Sequence, residues 1–312
     1  MHRVIRKILA ASLAGAALLP CASFAAERVP VVASFSILGD LVRAVGGERV
    51  SVTTLVGPDQ DAHAFTPKPA DAKAIVQSRL LVVNGLGFEP WAQKLAKSAG
   101  YQGETVVATQ GVKPLVMAED DADQEKGHAG KGHHHDEADP HAWQNPGNVV
   151  LYTRNIAAAL AKADPAGASA YQANATAYVN ELQALDTWAK AQFAAIPADK
   201  RKVITSHDAF GYLAAQYQIK FLAPQGTSTA AEPSAREVAQ LIRQIQREKI
   251  KAVFVENMSN PRLLAQLGKD AGVTVGPALY VDALSAAGGP ADSYLKLMRH
   301  NVTQLVRGMQ AN

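Results

Sequence analysis

The sequence predicts an α/β protein of two similar lobes, parallel sheets flanked by helices, joined by one long linker helix. Three observations carry this. Short β-branched runs alternate with helical stretches, an order that gives parallel sheets covered on both faces. Residues also recur at a constant offset of 172: Val31, Ser34, Gly39 and Leu41 return as Val203, Ser206, Gly211 and Leu213, and Val83, Lys97, Ala99 and Gly100 as Val255, Lys269, Ala271 and Gly272. A constant offset over such a span marks a duplicated unit. Between the copies, Ala168 to Ala195 is rich in Ala, Leu, Gln and Glu, lacks Gly and Pro, and is closed by Pro197. It reads as a single helix, about 40 Å long at 1.5 Å per residue.

Residues 1–25 read as a cleaved export signal. Arg3, Arg6 and Lys7 precede an apolar run, Ile8 to Leu19, too short for a permanent membrane span, and Ser23-Phe24-Ala25 is a small-x-small cleavage site. The single cysteine, Cys21, follows Pro20, a poor context for lipid attachment, so a free periplasmic protein is expected. Of the 31 Lys and Arg residues this segment holds three, and of the 28 acidic residues none, so the mature chain is neutral and the basic pI belongs to the precursor. No basic stripe points to nucleic acid. A mature chain without cysteine has no disulfide or thiolate ligand, which leaves His and carboxylates for any metal.

Residues 26–163 form the expected N-terminal lobe, with strands at Val31 to Ser34, Val50 to Val56, Leu80 to Val83 and Thr105 to Ala108. Helices fall near Ile37 to Val45, Ala70 to Gln77 and Pro90 to Ser98. Residues 164–197 carry the linker helix. Residues 198–312 repeat the pattern, with strands at Val203 to Ser206, Ile219 to Leu222, Ala252 to Val255 and Val273 to Gly276. Their helices fall near Ala209 to Tyr217, Ser234 to Glu248 and Pro261 to Ala271, followed by a last helix over Asp292 to Met309. Ser234 and Glu237 form a capping box. Residues 118–138 have almost no apolar side chain to offset ordering entropy and read as a mobile, solvated loop, whose His128, His133, His134 and His135 form a weak auxiliary metal-recruiting cluster.

Apart from His2 and His300, neither of which is a site candidate, the remaining histidines are His63, His141 and His207, each after a strand or just before a helix. That is where open α/β sheets bind ligands, and imidazole suits zinc and copper. A fourth donor must be a carboxylate. Asp282 and Glu256 both follow strands of the second half, and the residues themselves leave the choice between them open.

Asp61-Ala62-His63-Ala64-Phe65-Thr66-Pro67, Asp139-Pro140-His141-Ala142-Trp143, Thr205-Ser206-His207-Asp208-Ala209-Phe210, Ala231-Glu232-Pro233-Ser234 and Tyr280-Val281-Asp282-Ala283-Leu284-Ser285 together resemble the zinc/manganese solute-binding proteins of bacterial ABC transporters. The resemblance covers essentially the whole mature chain. It implies a metal site in the cleft between the lobes, with His63, His141, His207 and Asp282 as ligands, and no enzymatic activity. Manganese members carry a carboxylate where this chain has His207, and the set of three nitrogens and one oxygen, with the His-rich loop, resembles the zinc-specific branch. The implied function is capture of Zn2+ as cargo for an inner-membrane ABC permease by a monomer, with a periplasmic metallochaperone as a further partner. The alternatives are a manganese-binding homologue, a zinc buffer working through the loop, and an exported zinc hydrolase. The last has no H-E-x-x-H, G-x-S-x-G or Walker sequence to support it.

Overall fold

The computed structural model describes residues 27–116, 138–230, 234–259 and 261–312. The export signal with Cys21, the histidines at 128 and 133–135, and residues 231–233 of the Ala231-Glu232-Pro233-Ser234 motif lie outside them.

In the first lobe β1 (Val29–Phe35), β2 (Val50–Val56), β3 (Leu80–Val83) and β4 (Glu104–Val107) form a parallel sheet in the order β2-β1-β3-β4. The burial of each strand follows its place. Central β1 and β3 are buried on both faces apart from Pro30, whereas edge strand β2 alternates. The crossovers carry α1 (Ser36–Gly46), α2 (Pro69–Gln77) and α3 (Pro90–Ser98), the last two opening on a proline, which lacks the N–H that a first helical turn leaves without an intrahelical partner. Next come α4 (Pro146–Ala163), capped by the Asn145 side chain, and α5 (Ala168–Ala194).

The second lobe repeats the topology. Strands β5 (Lys202–Ile204), β6 (Lys220–Leu222), β7 (Val253–Glu256) and β8 (Val275–Leu279) take the order β6-β5-β7-β8, with α6 (Gly211–Tyr217), α7 (Ala235–Glu248) and α8 (Pro261–Ala271) as crossovers and α9 (Tyr294–Gln310) at the end. The capping box of Ser234 and Glu237 starts α7. The recurring Lys-x-Ala-Gly has a physical basis. Gly100 and Gly272 both sit at φ +71°, donating to Lys97 O and Lys269 O, while the next residues donate to Ala96 O and Gly268 O. Both helices thus end in the same left-handed glycine cap.

That cap displaces one expected strand. Val273, expected to start a strand, instead closes α8 by donating to Gly268 O, and β8 begins at Val275. A second shift is at β5, which stops at Ile204 where the Glu256 side chain, rather than a strand backbone, accepts the N–H of Ser206 and His207.

Helix α5 buries Tyr171, Ala175, Tyr178, Leu182, Leu185, Ala189 and Phe193, an unbroken stripe at spacings of three and four. It packs against α1, α4 and α9, so elements of both halves share its buried face. One continuous core consequently runs from Val29 to Met309, while two smaller clusters, around Ile75 and Leu81 and around Leu241 and Leu264, lie under the outer helices. Among the described residues no helix is long and apolar enough to cross a membrane.

Candidate metal centre

His63 lies between β2 and α2, His141 just before a short 3-10 turn (Ala142–Gln144), His207 after β5 and Asp282 after β8. The fold brings these four together, with one donor atom from each within 4.8 Å of the others. His63 Nε2 is 3.3 Å from His141 Nε2 and 3.3 Å from Asp282 Oδ2, His207 Nε2 is 3.3 Å from Asp282 Oδ2, and His141 Nε2 is 3.8 Å from Asp282 Oδ1. A tetrahedron with bonds of 2.0–2.1 Å has edges of about 3.3–3.4 Å. The His63 side chain is 6 % exposed and the other three are fully buried. Although His207 Nε2 and the Asp282 oxygens lie within ion-pair distance, neither His207 Nε2 nor either Asp282 oxygen makes a well-directed hydrogen bond. Buried polar atoms are normally satisfied, and lone pairs converging on one point suit a cation.

Each histidine is aimed by its surroundings. Asp139 Oδ1 accepts the backbone N–H of His141 at 2.9 Å and lies 2.8 Å from its Nδ1, leaving Nε2 toward the centre. Asp61 Oδ1 accepts the backbone N–H of His63 at 2.8 Å, and its Oδ2 accepts from Thr229 Oγ1 at 2.7 Å, which ties the His63 turn to the second lobe. The rings of Phe88 and Trp143 stand edge-on to His63 and His141, at 4.8 and 5.2 Å. Glu256, the other carboxylate candidate, sits behind His207 on its Nδ1 side and does not face the centre.

Asp282 belongs to the second half by sequence but is clamped to the first by hydrogen bonds. Val281 O accepts from Trp143 Nε1 and Gln144 Nε2, the Leu284 N–H donates to Ser36 Oγ, and the Asp59 N–H donates to Leu284 O. Sequence reasoning missed this clamp, because no local pattern marks bonds between residues so far apart in the chain. The Asp61 and Asp139 turns had a signal: an Asp two residues before the histidine in both His63 and His141 motifs.

The charges are strongly coupled. Burial alone would raise the Asp282 carboxyl, but the facing imidazoles of His207, His141 and His63 hold it well below the carboxylate range. Burial would likewise depress His207, and the flanking carboxylates Glu256 and Asp282 overcome it and push the ring well above its ordinary value.

The family model described as zinc-uptake complex component A, periplasmic, matches residues 31–308. The manganese-binding lipoprotein MntA of Halalkalibacterium halodurans is 31% identical over 91% of this chain and 89% of its own length. The iron-binding protein YfeA of Yersinia pestis is 32% identical over 91% and 87%. Among solved structures, the Mn-bound periplasmic metal binding protein from Candidatus Liberibacter asiaticus superposes with a TM-score of 0.77 at 30% identity, covering 89% of this chain and 98% of that one. The periplasmic zinc binding protein TroA from Treponema pallidum shares the fold, with a TM-score of 0.82 at 24% identity over 90% and 99%. The match over nearly the whole length, with the same two-lobed architecture, places the chain plainly: it belongs to this family of periplasmic metal-binding, solute-binding components of ABC transporters.

Proposed function

We propose that this chain captures Zn2+ through His63 Nε2, His141 Nε2, His207 Nε2 and the Asp282 carboxylate, and delivers it to an inner-membrane ABC permease. The observation that carries the reading is the convergence of three buried imidazole nitrogens and one buried carboxylate on a single point. Four protein donors complete a tetrahedral zinc shell and leave no open position for a reacting water, which favours holding and releasing a cation over catalysis. The three-nitrogen, one-oxygen set suits zinc better than manganese, which prefers more oxygen.

A second reading, manganese or iron as cargo, is favoured by the names of the relatives, manganese-binding and iron-binding among them. The metal acquired in the periplasm decides between the two. The metal content of protein exported to the periplasm and purified without added metal, measured beside an Asp282→Ala variant, is one equivalent of zinc on the first reading and manganese or iron on the second, because zinc outcompetes manganese in a simple titration whatever the cargo. His63→Ala and His207→Ala each abolish the tight equivalent, and a site that survives both substitutions contradicts either reading.

In this scheme the export signal is cleaved near Ala25 to release a periplasmic protein, and the histidines at 128 and 133–135 recruit metal weakly without forming the specific site. A periplasmic metallochaperone would hand metal to the same cleft.

A further inference from the structure

Glu256 closes β7 and is 1 % exposed. Its Oε1 accepts the backbone N–H groups of Ser206 at 2.9 Å and His207 at 3.0 Å. Its Oε2 lies 2.5 Å from His207 Nδ1 and accepts from Ser259 Oγ at 3.1 Å. A carboxylate offers about four lone-pair sites, and here every one meets a donor. The side chain at position 207 must therefore donate toward Glu256 while presenting a lone pair to His63, His141 and Asp282. An imidazole protonated at Nδ1 does both from opposite edges of one rigid ring. A carboxylate at 207 would instead bring two anions together in a buried site, which is strongly unfavourable.

We propose that Glu256 is a positioning residue that fixes nitrogen as the donor at position 207 and so sets the three-nitrogen, one-oxygen character of the centre. The proposal rests on the ligand assignment above. The corresponding support for His141 comes from Asp139, two residues away on the same turn, and moves with it. Glu256 reaches His207 from a neighbouring strand, so the residues at 256 and 207 can be exchanged independently.

The test compares zinc and manganese affinities of the full mature chain as wild type, Glu256→Gln, His207→Glu and the double variant. Glu256→Gln in the parent lowers zinc affinity about 10- to 100-fold, the usual cost of losing a hydrogen-bonded support of a metal ligand. In the His207→Glu background the same change raises manganese affinity at least about tenfold, because an amide N–H now faces a carboxylate in place of a second anion. The sign of the effect thus reverses with the residue at 207. A Glu256→Gln change that weakens metal binding in both backgrounds identifies a merely structural carboxylate and overturns the proposal. Calorimetric unfolding of each metal-free variant reports folding. If His207→Glu does not fold, nitrogen NMR of the metal-free Glu256→Gln variant, at a pH where the ring is neutral, decides. The proposal expects His207 to shift from the Nδ1–H tautomer alone to a mixture, and an unchanged tautomer overturns it. The ligand assignment fails differently, through a wild type with no one-to-one site or a His207→Ala variant with wild-type affinity.

Discussion

Replacing Asp282 by Asn is isosteric, opens no cavity, and removes the one anionic donor of the proposed zinc shell. Asp282 is fully buried and its oxygens face His63, His141 and His207 at 3.3 to 3.8 Å. Losing one member of a buried, hydrogen-bonded charge pair costs about 2–5 kcal/mol. At 1.4 kcal/mol per tenfold, zinc affinity falls about 30- to 4,000-fold. The metal-free protein responds as well. The depressed Asp282 carboxyl contributes stability present above its unfolded value near 3.8 and lost as pH falls through its lower folded value. The raised His207 contributes stability fully present below its unfolded value near 6.5 and lost as pH rises through its higher folded value. Because Asp282→Asn removes the first contribution and weakens the second, the stability gap between wild type and variant is wider at pH 6 than at pH 9. Zinc competition at neutral pH and calorimetry at the two pH values measure both effects. A variant whose zinc affinity stays within about threefold of wild type, or a gap that widens toward pH 9, is incompatible with Asp282 as the anionic donor facing the three imidazoles.

Leu182→Ala in α5 removes a fully buried side chain from the face shared by both halves, costing about 2–5 kcal/mol, while exposed Gln183→Ala stays within about 0.5 kcal/mol; thermal unfolding of the pair separates them. Glu89, fully buried, has its carboxyl raised by burial to about 6, against the opposing N–H donors of Asn84 and Gly85 and the Ser34 hydroxyl. Its contribution is fully present below about 4.5 and disappears as pH rises through about 6, a difference of about 2 kcal/mol that Glu89→Gln abolishes in denaturant titrations across that window. Deleting residues 127–136 leaves the tight zinc equivalent in place by competition titration, whereas a buffer working through that segment loses it.

The sequence carried the first lobe almost to the residue because its signals are local. Strands Val50–Val56 and Leu80–Val83 and helix Pro90–Ser98 coincide with the expected spans, each bounded by proline, glycine or serine. The second lobe was less legible where side chains replace backbone partners. Thr205 and Ser206 read as strand, yet Glu256 takes the Ser206 and His207 N–H groups and ends β5 early. Val273 has strand propensity but serves the helix cap of α8, so packing overrode local preference. At the centre, the three histidines were readable from their post-strand or pre-helix positions. The choice between Asp282 and Glu256 was not readable from the residues alone, since both follow strands of one sheet. Only the fold separates a carboxylate that faces Nε2 of His207 from one that backs its Nδ1.

Zinc-edge anomalous diffraction from crystals of the one-to-one complex shows whether the proposed zinc centre is closed by four protein donors. A closed centre gives a single strong peak at about 2.0–2.2 Å from His63 Nε2, His141 Nε2, His207 Nε2 and an Asp282 oxygen, with no water in the shell. A peak elsewhere, or one held by fewer of these residues with water completing its coordination, contradicts it.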